Sequence, residues 1–299
     1  MYDLIVIGKG PAGLSAAIYA VRAGLSVLVI GRDAGALGNA ELIENYLGFV
    51  EPISGEKLLQ DSIAQAIRLG VEIVTEEVTG LGFLENLSVH TSEHEYETKS
   101  LVIASGMPRR KATIKGLSEF EGRGVSYCAT CDAFFYRGKT VAVIGNGEYA
   151  FKEASELKPF AKKIILLTNG RPYEAGKEDP QIEVDTRAIA GVSGDEIKIR
   201  SLELIDGTSL AIDGVFIAEG TASAVDLALK LGLDNDGKVI TVNSRNQDTN
   251  LPGVFAAGDC TGGLLQIAVA VGDGARAGIA AANYVRELSG EKAVTVQWH

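Results

Sequence analysis

Apolar runs in this chain alternate with glycine turns and with stretches of helical periodicity. At the N-terminus, Leu4–Ile7 predicts a buried strand, Leu14–Ala23 a helix and Val27–Ile30 a second strand. The first strand and the helix are joined by Gly8-Lys9-Gly10-Pro11-Ala12-Gly13. Glycines at this spacing let the backbone turn tightly and approach a pyrophosphate at the N-terminus of the helix. The pattern therefore predicts a βαβ unit that binds a dinucleotide.

The same pattern occurs a second time in the middle of the chain. Thr140–Ile144 predicts a strand, the stretch up to about Leu157 predicts a helix, and Ile164–Leu167 predicts the next strand. The turn between the first two elements is Gly145-Asn146-Gly147-Glu148-Tyr149-Ala150. Two Rossmann-like units are therefore expected.

The remaining segments show how the two units are connected. Short β-like runs such as Leu87–Thr91 follow the first unit, and Leu251–Asp259 reads as a late strand that runs into a glycine turn. A long alanine-rich helix is predicted at Gln266–Leu288. This order predicts an α/β fold with two Rossmann-like (three-layer ββα) dinucleotide-binding domains, the second inserted in the first. The discontinuous first domain comprises residues 1–113 and 221–299, and residues 114–220 form the inserted domain.

Composition narrows the possible partners. The 299 residues are 46% hydrophobic and 22% charged, as in globular proteins, and include 36 glycines, as tight turns require. The net charge of −11 disfavours nucleic acids and anionic membranes, which would repel the chain. No apolar run reaches a membrane-spanning length of about 18 residues, and the N-terminus resembles no signal peptide. A cytoplasmic protein that acts on small molecules or proteins is expected.

The cysteines point to redox chemistry. Cys128 and Cys131 are spaced as Cys-x-x-Cys, which allows an intramolecular disulfide in which one thiol attacks and the other resolves. Half of a zinc site is the alternative, but zinc needs four ligands. The other candidate ligands are Cys260, His90, His94 and His299. A redox pair is therefore favoured, and no metal site is expected.

Taken together, the motifs resemble those of the low-molecular-weight thioredoxin reductases from end to end. They are the first glycine turn with Ala16-Ala17-Ile18-Tyr19-Ala20, Glu44-Asn45-Tyr46, Ala104-Ser105-Gly106, Cys128-Ala129-Thr130-Cys131-Asp132, and Ala256-Ala257-Gly258-Asp259 with Gln266-Ile267-Ala268. In that family the first domain holds FAD, the inserted domain binds NADPH, and the Cys-x-x-Cys pair reduces thioredoxin. The resemblance also implies a homodimer.

The resemblance implies a set of residues that contact FAD. Gly8, Gly10 and Gly13 are expected at its pyrophosphate, Asn45 near the isoalloxazine, and Asp259 with Gln266–Ala268 at the ribityl chain and flavin. The expected cofactor-binding residues are Gly8, Gly10, Pro11, Ala12, Gly13, Arg32, Gly38, Asn45, Val78, Ala104, Ser105, Gly106, Gly258, Asp259, Gln266, Ile267, Ala268 and Trp298.

Two of these residues carry hypotheses of their own. Gly31 stands where Rossmann units commonly have the acid that binds an adenosine ribose, so Arg32 is expected to serve the adenosine end instead. Trp298 lies in a β-like tail and is expected to stack on the isoalloxazine, in this subunit or in its dimer mate. The alternative for Trp298 is an ordinary frayed terminus.

Catalytic roles are also implied by the resemblance. Cys128 is expected to be the exposed nucleophile toward thioredoxin, Cys131 the thiol that faces the flavin, and Asp132 the acid that exchanges a proton with a thiolate. A helix cap is the alternative role for Asp132. Cys260 is expected to be a small buried residue and not a third redox thiol.

The inserted domain departs from the NADPH-using pattern. Glu148 and Tyr149 stand where phosphates approach the backbone, and Arg171 is the one residue after the next strand that could meet a 2′-phosphate. A late glycine-His-x-Pro-Asn segment is replaced by Glu219–Ser223. These departures resemble the ferredoxin-dependent flavin thioredoxin reductases, so ferredoxin is the expected donor. An NADPH site that still works is the alternative.

Ferredoxins are generally acidic, so a chain of net charge −11 needs a local positive surface to dock one. The candidate residues are Arg109, Arg110, Lys111 and Lys115, and in the inserted domain Lys152, Lys158, Lys162 and Lys163. A solvated surface run is the alternative for each. Two other function classes stay open. One is a flavoprotein NAD(P)H:ferredoxin or quinone oxidoreductase that does not need the Cys-x-x-Cys pair, and the other is a redox sensor that binds FAD but does not turn over thioredoxin.

Overall fold

The chain divides into two compact units. The structure is a computed structural model that describes residues 1–83, 85–107 and 114–293. Unit 1 comprises Met1–Pro108 and Ser223–His299, and unit 2 comprises Arg109–Ala222. Unit 2 is therefore inserted between the two stretches of unit 1. No helix in the part of the chain that the structure describes is long and apolar enough to cross a membrane.

Unit 1 is built on one large sheet. Its strands are β1 (Tyr2–Ile7), β2 (Val27–Ile30), β3 (Glu72–Val74), β4 (Val78–Phe83), β5 (Leu87–Thr91), β6 (Glu95–Ile103) and β15 (Val254–Ala256). Its helices are α1 (Pro11–Arg22), α2 (Gly55–Arg68), α5 (Ala224–Lys230) and α6 (Ile267–Leu288). The strand order is β3-β2-β1-β6-β5-β4, with β15 beside β6. The strands β3, β2, β1, β6 and β15 are parallel, whereas β4, β5 and β6 form an antiparallel meander.

Two helices of unit 1 pack at backbone distance. A Cβ at Gly274 of α6 would lie 2.1 Å from the carbonyl oxygen of Ala12 in α1, and one at Gly278 would lie 2.3 Å from that of Ala16. Only glycine fits at such separations, so these two residues let α6 lie directly on α1. The pair buries alanines of both helices over β1, β2 and β6.

Unit 2 has two sheets. Its strands are β7 (Val125–Ser126), β8 (Thr140–Ile144), β9 (Lys163–Leu167), β10 (Ile182–Asp185), β11 (Ile189–Gly194), β12 (Ile199–Leu204), β13 (Ser209–Ala211) and β14 (Gly214–Ile217), and its helices are α3 (Ala129–Asp132) and α4 (Glu148–Glu156). A parallel sheet has the order β10-β9-β8-β14-β7, and β11-β12-β13 form an antiparallel sheet. Ile144 and Val215 of the first sheet share one core with Ile199 and Leu202 of the second, and α4 packs on β8 and β9. The predicted ββα layering is thereby confirmed.

The sequence located most elements of the two βαβ units correctly. The strands predicted at Val27–Ile30, Leu87–Thr91 and Thr140–Ile144 have those bounds in the structure. Helix α1 begins earlier than predicted because Pro11 takes its first position, where a missing N–H costs nothing. Strand β15 begins later, at Val254, because Gly253 adopts a left-handed φ of 81° just before it.

Candidate active site

The glycine turn of unit 1 lies where three parallel strands end. Strand β6 pairs with β1 on one side and with β15 on the other. Gly8 follows β1, Ala104 follows β6 and Gly258 lies just beyond β15. A Cβ at Gly8, where φ is 108°, would lie 2.3 Å from the carbonyl oxygen of Ala104. The predicted cofactor residues of these three segments are thus brought together at the edge of the sheet where ligands bind in such folds.

Helices α1 and α6 both begin at this edge. A Cβ at Gly258 would lie 2.7 Å from Cβ of Ala12 and 3.5 Å from Cβ of Ala270, so the two first turns meet there. Neither helix has a side-chain cap, and a Cβ at Gly10 would meet no atom within 4 Å. The backbone at Gly10, directly before α1, is therefore open to a ligand, and the helix dipole favours an anion there. This cradle fits the pyrophosphate of a dinucleotide.

Two further predicted residues meet although they are distant in sequence. The side-chain nitrogen of Asn45 donates a hydrogen bond to Oε1 of Gln266 at 2.9 Å. Gln266 precedes the first turn of α6, in which Ile267 and Ala268 lie. Asp259 follows Gly258, and burial raises the pKa of its carboxyl group. These residues line the same edge as the glycine turn.

The other predicted cofactor residues are more scattered. Gly38 lies in a short 3₁₀ turn, where a Cβ would come 2.4 Å from Cβ of Ala34. Val78 is the buried first residue of β4, while Ser105 and Gly106 follow Ala104. Trp298 lies outside the described residues.

In unit 2 the two redox cysteines form a disulfide bond. Cys128 directly precedes α3 and Cys131 lies in its first turn, with Cα atoms 5.3 Å apart. Cys128 caps this helix, and its Sγ accepts a hydrogen bond from the backbone nitrogen of Cys131 at 3.2 Å. Cys128 is only 3% exposed, whereas Cys131 is exposed. In this oxidised state Cys128 is thus the buried sulfur, because the sulfur of the capping residue turns back over its own helix. Its expected role as the nucleophile toward thioredoxin stays a prediction.

A buried carboxylate that sequence reasoning missed supports this redox helix. Glu153 of α4 is 1% exposed, and its Oε2 accepts a hydrogen bond from the backbone nitrogen of Ala129 at 2.7 Å. Its place on the buried face of α4, with Tyr149 and Ala150, was the available signal. Asp132, the predicted acid, ends α3 and is half-buried.

The third cysteine is structural. Cys260 is 1% exposed, and its thiol donates to the backbone oxygens of Ile103 and Ala257, both at 3.3 Å. Burial raises the pKa of this thiol to about 12. Cys260 is therefore a small buried residue, as expected.

The glycine turn of unit 2 is closed by its own chain. The side chain of Asn146 donates to the carbonyl oxygen of Pro172 at 3.1 Å, and the carbonyl of Asn146 accepts from the backbone nitrogen of Glu174 at 2.8 Å. Next to it, the carboxylate of Glu148 forms an ion pair with Lys177 at 2.8 Å. We call residues 171–177 the strap. It ties down the turn at the start of α4, where a nucleotide phosphate would lie in a Rossmann fold.

The cations that sequence reasoning singled out in unit 2 are mostly paired. Arg171 forms an ion pair at 2.9 Å with Glu219, whose side chain is 5% exposed. Three of the four lysines proposed for ferredoxin docking also have carboxylate partners: Lys152 with Glu156, Lys158 with Asp179 and Lys163 with Glu183. This cluster is therefore largely neutralised. The run Arg109–Lys111 lies outside the described residues.

Comparisons with known proteins agree with this architecture. Residues 2–274 match the family model described as pyridine nucleotide-disulphide oxidoreductase. The chain is 38% identical to the thioredoxin reductase of Aquifex aeolicus, over 100% of this chain and 97% of that protein. The chain belongs to the pyridine nucleotide-disulphide oxidoreductases and, among them, to the thioredoxin reductases. FAD is its cofactor, which the cradle in unit 1 fits.

Solved structures similar to this chain include two with different descriptions. The atypical thioredoxin reductase TRi from Desulfovibrio vulgaris Hildenborough is 40% identical, with a TM-score of 0.90 over 96% of this chain and 99% of that one. A ferredoxin-flavin thioredoxin reductase from Clostridium acetobutylicum is 35% identical, with a TM-score of 0.70 over 97% and 99%. One of these structures is described as an atypical thioredoxin reductase and the other as a ferredoxin-flavin thioredoxin reductase. The comparisons therefore leave the electron donor open, and the residues of unit 2 bear on it.

Proposed function

We propose that this thioredoxin reductase takes its electrons from reduced ferredoxin and passes them through FAD to the Cys128–Cys131 disulfide and then to thioredoxin. The choice of ferredoxin as donor rests on the closed glycine turn of unit 2. There Glu148 is paired with Lys177, and Arg171 is paired with Glu219. One of the similar structures is described as a ferredoxin-flavin thioredoxin reductase, in line with this proposal.

The closed turn disfavours NADPH for two electrostatic reasons. The carboxylate of Glu148 lies in the first turn of α4, where it would repel a phosphate that comes to the helix N-terminus. Arg171, the candidate for the 2′-phosphate, would have to leave Glu219, and the nearly buried carboxylate of Glu219 would then lose this ion pair. A pyridine nucleotide would also have to displace the strap from Asn146.

The electron balance favours a flavin between the two proteins. Reduction of the Cys128–Cys131 disulfide to two thiols takes two electrons and two protons, whereas a ferredoxin delivers single electrons. Bound FAD supplies the conversion between one-electron and two-electron transfer. A ferredoxin near about −400 mV and a thioredoxin near about −270 mV leave roughly 130 mV, or about 6 kcal/mol for two electrons.

The surface next to the redox helix is suited to a protein substrate. Phe134 and Phe135 follow the disulfide and are 65% and 67% exposed. The guanidinium of Arg137 lies 5.3 Å from the ring centre of Phe134 and 5.8 Å from that of Phe160. Exposed aromatic residues with arginine are typical of protein interfaces. We expect thioredoxin to dock on this aromatic surface.

Turnover with different donors tests the proposal. With thioredoxin as the acceptor, we expect steady reduction with reduced ferredoxin and none with NADPH or NADH. Arg171→Met should leave the ferredoxin-driven rate unchanged, because Arg171 pairs with Glu219 and takes no part in the proposed electron transfer. Thioredoxin reduction by NADPH, with a KM that rises about tenfold in Arg171→Met, would overturn the proposal.

That result would favour the second candidate, an NADPH-dependent thioredoxin reductase. The observation behind this candidate is that the glycine skeleton of the turn persists. A Cβ at Gly147 would meet no atom closer than 4.0 Å, and α4 has no side-chain cap. A strap that opens would then expose a helix N-terminus able to bind phosphate.

A further inference from the structure

The side chain of Lys9 crosses the ends of three neighbouring strands in unit 1. Strands β1, β2 and β3 are parallel, with Ile7, Ile30 and Val74 in register at their C-terminal ends. Gly31 and Thr75 come directly after β2 and β3, and Lys9 lies in the glycine turn after β1. Nζ of Lys9 donates a hydrogen bond to Oγ1 of Thr75 at 3.2 Å. The lysine thus spans the sheet edge from the first strand to the third.

This path requires glycine at position 31. A Cβ there would lie 2.9 Å from Cγ and 3.0 Å from the backbone nitrogen of Lys9. Gly31 does not have the left-handed conformation that favours glycine at turns, so the close approach of Lys9 explains the residue. A side chain at position 31 would therefore push Lys9 from this path.

Lys9 crosses the end of the second strand, which in dinucleotide-binding folds contacts the adenosine ribose. There the residue after the second strand is commonly an acid, which accepts hydrogen bonds from the adenosine ribose. In this chain a lysine ammonium, which only donates, lies over that position. Ribose hydroxyls and phosphate oxygens can both accept from it. We propose that the ammonium of Lys9 binds the ribose and phosphate of the adenosine half of FAD, in place of the missing acid.

Charge pairing favours Lys9 over Arg32 for this role. The guanidinium of Arg32 is held by Asp33 at 3.2 Å and by Glu77 at 3.0 Å. Lys9 has no carboxylate within ion-pair distance among the residues that the structure describes, and its one side-chain hydrogen bond there is to the neutral hydroxyl of Thr75. The charge of Lys9 is therefore available to an anionic ligand, whereas the charge of Arg32 is already compensated.

Binding measurements on the apoprotein test the proposal without reference to activity. Lys9→Met keeps the length of the side chain and removes the charge. We expect its dissociation constant for FAD to rise about tenfold, the loss typical of a hydrogen bond to a charged group. ADP carries the adenosine ribose and the phosphates without the flavin. Its inhibition constant against FAD binding should rise by the same factor, and Lys9→Arg should restore most of the affinity for both.

The matched control is Lys57→Met, which removes an exposed lysine charge on α2 and should leave both constants unchanged. Arg32→Met removes the neighbouring cation and should raise both constants less than Lys9→Met does. Gly31→Ala displaces Lys9 and should reproduce the loss. Three results would overturn the proposal: unchanged FAD affinity in Lys9→Met, weaker FAD with unchanged ADP, or loss in Arg32→Met alone. Thermal unfolding of each apoprotein shows whether it is folded, and Lys9→Ser gives a second variant if Lys9→Met is not.

Discussion

At the scale of single residues, the chemistry depends on two sulfurs with different surroundings. Cys128 is buried directly before α3, whereas Cys131 in the first turn of α3 is exposed. The first residue of α3, Ala129, donates a backbone hydrogen bond to the buried carboxylate of Glu153. Cys260 is free and buried in the other unit. The three cysteines can therefore be told apart by substitution, which separates disulfide chemistry from other flavin chemistry.

Cys131→Ser should abolish thioredoxin reduction while leaving reduction of the flavin by its donor intact. The reason is that thiol–disulfide exchange needs the second thiol to resolve the mixed disulfide, whereas the donor reaches the flavin without it. Both half-reactions can be followed by flavin absorbance and thioredoxin thiol content. Cys260→Ser is the control and should keep full turnover. Full turnover of a quinone or ferredoxin acceptor by Cys131→Ser would instead support an NAD(P)H:ferredoxin or quinone oxidoreductase.

Three acidic groups of unit 1 predict alkaline loss of stability. Burial raises the pKa of Cys260 from 9.0 to about 12, and burial with the adjacent carboxylates of Glu72 and Glu76 raises the pKa of Tyr2 and Tyr96 from 10.0 to about 12. Because the folded state holds these protons more tightly, its stability is complete below the ordinary pKa values. It is lost as the pH rises through about 9 to about 12.

Urea unfolding measured between about pH 8 and about pH 11 checks this prediction. The urea midpoint should fall with rising pH, and Tyr96→Phe should make the fall shallower because one of the three groups is removed. A midpoint that is level across this range, or that rises, would contradict the assigned pKa shifts.

At the scale of elements, the close packing of α6 on α1 predicts how glycine substitutions in α6 change the stability of the protein. Gly278→Ala should destabilise the protein by about 1–3 kcal/mol, because its Cβ would lie 2.3 Å from the carbonyl oxygen of Ala16 and α6 would be pushed from α1. Gly272→Ala on the same helix has no atom within 4 Å of its Cβ, so it should be neutral or stabilise by up to about 1 kcal/mol. Thermal unfolding of both variants is the measurement. Equal effects would mean that α1 and α6 do not pack this closely.

The elements also show what a sequence can predict. Apolar runs such as Thr140–Ile144 identify strands because a strand buried on both faces is apolar throughout, and glycine spacing locates the turns between strands and helices. Family resemblance alone predicts that Asn45 and Gln266 both lie near the flavin, and their direct hydrogen bond required coordinates because the two residues are far apart in the chain.

The ion pairs on which the proposed donor rests could not be predicted, because they join residues distant in sequence through side-chain geometry. Glu148 with Lys177 and Arg171 with Glu219 are such pairs. The amino-acid sequence shows an acid, Glu148, in the turn and a single arginine, Arg171, after the next strand. It does not show that each side chain forms an ion pair. In the same way, Gly31 was noticed as a missing acid, while its close contact with Lys9 required coordinates.

At the scale of the whole molecule, we expect charge to govern the proposed encounter with ferredoxin. The chain carries a net charge of −11, and most of the lysine cluster in unit 2 is paired, so the run Arg109–Lys111 remains the candidate for docking an acidic protein. Replacing these three residues by serine should slow flavin reduction by ferredoxin about tenfold at low salt and flatten its salt dependence. Stopped-flow absorbance measures both, and a wild-type rate that rises with salt would exclude docking by attraction.

Anaerobic reduction of the bound flavin is the most direct test of which electron donor the protein uses. The oxidised protein is mixed in turn with NADPH, NADH and reduced ferredoxin, and the flavin absorbance band is followed at about 450 nm. The closed turn of unit 2 predicts bleaching by ferredoxin alone, followed by reduction of added thioredoxin. Rapid bleaching by NADPH would contradict the account and would mean that the strap opens to admit a pyridine nucleotide.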